Sequence, residues 1–262
     1  MQPFLMIGGG LGFIFIMTCL GAATVFIFRK SSSGRFQQIF LGFAAGVMIA
    51  ASIWSLLIPA IEEAEAQGLA GWIPAAAGFV LGVLFLLGLD HVIPHLHPFS
   101  NVQEGGGSAS KRTALMISAV TLHNIPEGMA VGLSFALAAQ HDDPAMFASA
   151  VALALGIGIQ NFPEGAAISL PLRQEGFSAG KAFGLGCLSG VVEPVFGLSG
   201  VLLAFLIAPV MPWLLSFAAG AMIYVVVEEI IPEAHLGEHS HIGTLGVMAG
   251  FLIMMVLDVA LG

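Results

Sequence analysis

The sequence predicts an all-α membrane protein, a bundle of eight transmembrane helices, and three observations carry that prediction. The first is composition: of 262 residues, 58% are hydrophobic and only 9% charged, with a mean hydropathy of +0.98, against roughly 25% charged residues in a typical soluble domain. The second is run length. A membrane-crossing helix needs about 20 apolar residues, and eight runs meet that need, approximately 4–28, 36–60, 69–93, 113–139, 145–171, 180–208, 211–232 and 241–261. The third is where the charge lies. Cytosolic loops are enriched in Lys and Arg. With the amino terminus outside, the cytosolic loops collect Arg29, Lys30, Arg35, Lys111, Arg112, Arg173 and Lys181, which are all seven basic residues of the chain. Both termini are therefore expected outside the cytosol, in a cell membrane. The net charge of −9 points to no nucleic-acid partner, because most of the excess acid sits in or beside the runs.

Taken in order, the first run ends in Arg29 and Lys30 instead of a small-residue cleavage site, so it reads as a true span and not as a signal peptide. The second carries the small pair Gly42 and Gly46, which permits close helix contact in lipid, and ends in LLIPAIEEA. After the third comes HPFSNVQEGGGSASKR, a Gly/Ser-rich segment expected to be a flexible cytosolic loop at about 94–112. The fourth and fifth runs carry two near-copies, HNIPEG at 123–128 and QNFPEG at 160–165. The sixth carries Gly186 and Gly190 and an acid, Glu193. The seventh ends in EEIIPEAH, an echo of the end of the second. Those two ends face opposite sides of the membrane, a hint of the inverted repeats of transporters. Asp90 and Asp258, near the ends of the third and eighth runs, read as helix-end polar residues. Cys19 and Cys187 lie alone in apolar runs and are expected to be packing residues, with no disulfide framework. Residues 1–262 form a single transmembrane domain on this reading.

His123 and Glu127 are four residues apart and share a helix face; Gln160 and Glu164 repeat that geometry, with Asn124 and Asn161 bordering. Counted from the cytosolic ends of their runs, all four fall in the inner to middle part of the bilayer, and Glu193 reaches the same level. A charge at the bilayer centre costs about 2.5–3.5 kcal/mol on insertion scales, and no Lys or Arg lies at this depth as a counter-ion, Lys181 standing at the very start of the sixth run. Either the carboxyls are protonated or an external cation sits among them. Imidazole with carboxylate and carboxamide oxygens suits zinc, iron or manganese better than magnesium or calcium. Pro126 and Pro163 release the carbonyls four residues earlier, which membranes tolerate where they line a cavity or site.

HNIPEGMAVGL followed by QNFPEGAAISLPL, together with eight runs, SGVVEPVFG in the sixth and a His-bearing loop after the third, resembles the ZIP family of divalent metal transporters, in its prokaryotic GufA/ZupT-like branch. The resemblance covers essentially the whole chain. It implies a central, often binuclear, site, with His123, Glu127, Gln160, Asn161 and Glu164 at one metal and Asn124, Glu127, Asn161, Glu164 and Glu193 at its neighbour. It also brings in Met48 of the second run as a thioether ligand, with Ser55 on the same face. Family members often carry His where this chain has Gln160, and some carry Asp where it has Asn161, which bears on the second metal and on metal preference. The resemblance further implies an inverted repeat of runs 1–3 and 6–8 around 4–5, alternating access and a homodimer.

At the outer rim Glu62, Glu63, Glu65, Asp142 and Asp143 with His141 would attract cations, Glu62 foremost. At the cytosolic face His91, His95 and His97, and His235 with His239, form short His-rich tracts of the kind that bind metal, while Glu228 and Glu229 are placed to line an exit. The expected function is transport of zinc, or of cadmium, iron or manganese, into the cytosol, with the metal as cargo and no catalytic cofactor. The alternative is an intramembrane metal-dependent hydrolase, which would want three protein ligands usually including two histidines, an open water position and a base. Here only His123 lies deep in a run, and no H-E-x-x-H occurs. A third reading uses the same carboxylates for proton conduction or sensing without metal.

Overall fold

The structure is a computed structural model that describes residues 2–27, 34–92, 109–174, 176–206, 208–234 and 241–261. Every secondary-structure element among them is helical, as a chain immersed in lipid requires, because only helices or closed barrels satisfy their backbone groups there. The elements are α1 (Gln2–Ala23), α2 (Gly34–Ala51), α3 (Ile58–Ala66), α4 (Trp72–Val92), α5 (Ala109–His141), α6 (Pro144–Gln174), α7 (Ala179–Gly190), α8 (Val192–Leu206), α9 (Met211–Val225), α10 (Ile231–Ala234) and α11 (Ile242–Leu261). Seven helical stretches among the described residues are long and apolar enough to cross a membrane. The eighth crossing is α5, 33 residues long, whose middle is taken up by HNIPEG. The expected loop at 94–112 is shorter at its far end, since α5 starts at Ala109; residues 93–108 lie outside the described residues.

Two crossings contain a wider turn. Ser52–Leu57 and Val226–Ile230 are π-helical, and each is followed by a proline, Pro59 and Pro232. A proline has no N–H and its ring collides with the carbonyl four residues back, which is Ser55 in one case and Glu228 in the other. Both carbonyls lie inside the π turns, where the looser spacing makes room for the ring. The freed Ser55 carbonyl accepts a hydrogen bond from Ser134 Oγ at 3.4 Å. These turns sit at the two echoed segments, LLIPAIEEA and EEIIPEAH.

The sixth run is two helices and not one. α7 ends at Gly190 and α8 begins at Val192, because Pro194 cannot bond the carbonyl of Gly190; the Val191 N–H closes instead on Leu188 O at 3.2 Å. Glu193 thus stands in the first turn of α8, directly after the break.

The helices pair in a regular way. α1 packs on α6 and α5 on α8, while α2 packs on α11 and α4 on α9. Numbered as crossings, these are first with fifth, fourth with sixth, second with eighth and third with seventh. Replacing crossings 1–3 by 6–8 and 4 by 5 turns each pairing into another of the set, and it carries one π turn onto the other. The bundle therefore has two groups of four, crossings 1, 4, 5 and 6 and crossings 2, 3, 7 and 8. Small residues make the pairs close: Gly42 and Gly46 lie on the α11 backbone, and Gly186 and Gly190 face Ala22 and Thr18 of α1, as the small-residue pairs predict. Buried Ile14, Met48, Phe135, Leu153, Met211 and Met222 fill the interior, whereas large apolar side chains on α4, α8 and α11 point outward, toward lipid.

Two readings gain detail. Cys19 and Cys187 are free thiols with no disulfide, as expected, and α1 and α7 bring them side by side. They lie 168 residues apart in the chain, so spacing gave no sign of it. Asp258 is a helix-end polar residue, as expected, three residues from the end of α11. It is buried, at 5% exposure, and accepts hydrogen bonds from Ser55 Oγ at 2.8 Å and Ser149 Oγ at 3.4 Å.

Candidate metal centre

The two PEG glycines set the site. A Cβ on Gly128 would run into the backbone of Glu193, and one on Gly165 into the backbone of Thr18. With only hydrogen there, α5 seats on α8 at Glu193 and α6 seats on α1 at Thr18. Those two anchor points then bond each other, Thr18 Oγ1 donating to Glu193 Oε1 at 3.1 Å. The repeated glycines thus draw four helices to one point.

Around it the polar side chains divide their atoms in a consistent way. Asn124 Nδ2 donates to the Ser189 carbonyl at 3.1 Å, at the end of α7. Gln160 Nε2 donates to Glu127 Oε1 at 2.7 Å, and Asn161 Nδ2 donates to the Ile14 carbonyl at 3.4 Å. The amide hydrogens of Asn124 and Asn161 are spent on backbone carbonyls and those of Gln160 on the Glu127 carboxylate, which leaves the three amide oxygens directed elsewhere. Asn124, Glu127, Gln160, Asn161 and Glu193 all have zero exposure. Asn124 Oδ1, Glu127 Oε2, Gln160 Oε1, Asn161 Oδ1 and Glu193 Oε2 meet no donor. Buried polar atoms are nearly always hydrogen-bonded, and each exception needs a reason. Five unspent oxygens of one polarity have a simple one, since a cation uses acceptors and rejects donors. Glu164 is half-buried and lies within electrostatic reach of both Glu127 and Glu193, so three carboxylates bear on one region.

The other expected residues are placed as follows. The His123 side chain lies outside the described residues. Met48 is fully buried in α2, which packs against α6. Among the described residues no three His, Cys, Asp or Glu side chains gather as a metal cluster; most of the oxygens assembled here are carboxamides, and the imidazole of HNIPEG is not among the described side chains. Ser55 is buried and engaged with Asp258, whereas Glu62 is exposed. The π turn of Ser52–Leu57 lies between Met48 and Glu62. His91 is exposed at the end of α4, with Nδ1 at 2.8 Å from the Leu87 carbonyl. Glu228 is exposed and Glu229 is buried, both within the second π turn. His95, His97, His235 and His239 lie outside the described residues. Sequence reasoning missed Thr18, whose role depends on a partner 175 residues away, and Ser189, which contributes only a carbonyl.

A family model described as the ZIP zinc transporter matches residues 97–258, which include both PEG motifs and Glu193. The chain belongs to the ZIP family. Similarity extends over nearly all of this ZIP chain: it is 39% identical to human zinc transporter ZIP11 across 97% of its own length and 96% of the relative's. It is 42% identical to zinc transporter GufA of Myxococcus xanthus across 94% of both, and 41% identical to zinc transporter ZIPB of Bordetella bronchiseptica across 98% of this chain and 81% of that one. The bacterial likeness legible in the motifs is thus joined by an animal one of equal reach. All three relatives are named as transporters, and nothing here supports the hydrolase reading.

Proposed function

We propose that this protein carries zinc and related divalent cations across a cell membrane into the cytosol. It works as a carrier and not as an enzyme, with the metal as cargo. The chain forms one transmembrane domain with both termini outside, and functions as a homodimer. His123, Glu127, Gln160, Asn161 and Glu164 hold one cation; Asn124, Glu193 and the shared carboxylates hold a neighbour, with Met48 at the edge. The observation that carries this reading is the set of five buried oxygens without donors at the meeting of α1, α5, α6 and α8. Two or three ionised carboxylates in lipid need a counter-charge, and Lys and Arg occur in the crossings only in their terminal turns, the nearest in sequence to Glu193 being Lys181, twelve residues away.

The packing supports alternating access. The oxygens belong to the group of crossings 1, 4, 5 and 6, while crossings 2, 3, 7 and 8 pair among themselves. Motion of one group past the other moves these oxygens as a unit and parts them from Met48 of the second crossing. Glu62 on the outer side, and Glu228, Glu229, His91, His95, His97, His235 and His239 on the cytosolic side, line the approach and the exit. The test is flux of zinc or cadmium into liposomes containing the purified protein. Wild type should transport, and His123→Ala and Glu164→Ala should not. Undiminished flux in both variants would remove the site assignment.

A further inference from the structure

At the end of the bundle where α3 stops and α5 turns into α6, a second set of metal-type donors comes together away from the centre. His141 Nε2 lies 2.7 Å from Glu63 Oε2, and Gln67 Nε2 donates to the other oxygen, Glu63 Oε1, at 2.9 Å. Gln67 Oε1 is buried and meets no donor. The three side chains line one open cavity of about 590 Å³ with Leu69, Gln140 and Pro209. Gln140 is turned aside, donating to the Ala204 carbonyl at 3.0 Å. This is the donor trio of the fourth and fifth crossings, one imidazole, one carboxylate and one carboxamide, assembled again at the rim.

Local structure holds the trio in place. Asp142 adopts φ 51°, a left-handed turn that ends α5 at once and leaves His141 directed at α3. Asp143 is spent on capping α6, its Oδ1 accepting from the Ala145 N–H at 2.8 Å. Gln67 ends α3 in a turn closed on the Glu63 carbonyl, which keeps it beside Glu63. The local charge has one sign: Glu62, Glu65 and Asp142 are sequence neighbours of the trio, and no Lys or Arg lies within 58–71, 138–147 or 204–212. An exposed His–carboxylate pair does little for stability, so the pairing explains neither the spare carboxamide oxygen nor the uncompensated acid around it.

We propose that Glu63, His141 and Gln67 form a peripheral site for a borderline divalent cation of the zinc or cadmium class, a capture station on the side from which metal approaches. The site takes Nε2, the Glu63 carboxylate and Gln67 Oε1, with water completing the shell. The cation replaces the hydrogen between Nε2 and Oε2, and in the neutral ring that proton moves to Nδ1. The capture role rests on the outside placement proposed above; the binding itself does not.

Two measurements on the full-length protein decide it. In a background with the centre disabled by Glu127→Ala and Glu164→Ala, zinc binding is measured by equilibrium dialysis in detergent, with and without His141→Gln or Glu63→Gln. Each added substitution should remove one equivalent of bound zinc, with an unchanged size-exclusion profile showing that the fold persists. Equal stoichiometry in the presence and absence of these substitutions overturns the site. In liposomes with the centre intact, His141→Gln should raise the zinc concentration for half-maximal flux about threefold while leaving the maximal rate in place, as loss of local cation enrichment predicts. An unchanged half-maximal concentration overturns the capture role. If wild type shows no flux but the one-equivalent difference holds, the carrier reading falls and the peripheral site stands.

Discussion

Helices α5 and α6 carry nearly the same six residues, and the bundle uses them differently. In α5, Glu127 is fully enclosed and one of its oxygens is held by Gln160. In α6, Glu164 keeps partial exposure. The glycines differ in the same sense, Gly128 resting on the acid-bearing turn of α8 and Gly165 on the hydroxyl-bearing turn of α1. A duplicated motif has thus become one closed and one open half, with Thr18 standing where the repeat would otherwise place a second Glu193. Pseudo-symmetry supplies the convergence of helices, and the departures from it supply direction.

The widest test of that contrast removes each glutamate in turn. Glu127→Ala and Glu164→Ala should each lower zinc flux in liposomes by about a hundredfold or more, since a lost carboxylate ligand also leaves the remaining donors poorly placed. Comparable flux in either variant would mean that one half of the motif is dispensable. Next in size is the close approach. Gly128→Ala should destabilise the protein by about 1–3 kcal/mol through forced separation of α5 and α8, with Gly165→Ala similar at α1; thermal unfolding in detergent reads both. Thr18→Val should follow, at about 1–2 kcal/mol, because Glu193 Oε1 loses its donor while buried. A shift in metal binding larger than the shift in stability would show that Thr18 also orients Glu193 for the cation. Gln160→His should restore the commoner imidazole and change the ratio of zinc to cadmium flux by about threefold to tenfold in favour of zinc; an unchanged ratio would place selectivity elsewhere. Smallest is Ser134→Ala, expected to cost about 0.5–1 kcal/mol for one long hydrogen bond to the Ser55 carbonyl.

Much of this was legible before any coordinates. Apolar run length gives eight crossings, and α4 and α11 begin and end within a few residues of the predicted runs. The repeated PEG stretches and Glu193 mark the point where α1, α5, α6 and α8 converge. What stayed hidden depends on tertiary contact. Nothing local to Cys19 tells of Cys187, and the burial of Asp258 shows only once Ser55 and Ser149 are folded against it. The break at Val191 had a local signal in Gly190 and Pro194, but the apolar length of the run outweighed it. The π turns were also signalled, by prolines late in two crossings, yet a hydrophobic run cannot reveal an extra residue per turn.

That extra residue has a mechanical meaning. A π turn closes its hydrogen bonds one residue further along than an α turn, and such turns often mark functional hinges. Expelling the surplus residue from Ser52–Leu57 would screw everything beyond it, Glu62 and Glu63 included, around the helix axis by about 100°, the angle of one residue, while the chain stayed helical throughout. Amide hydrogens in 52–58 should accordingly exchange with deuterium sooner than those of 42–50 in the same crossing. The second crossing therefore carries its own swivel, and the rim can turn relative to the centre without a loop between them.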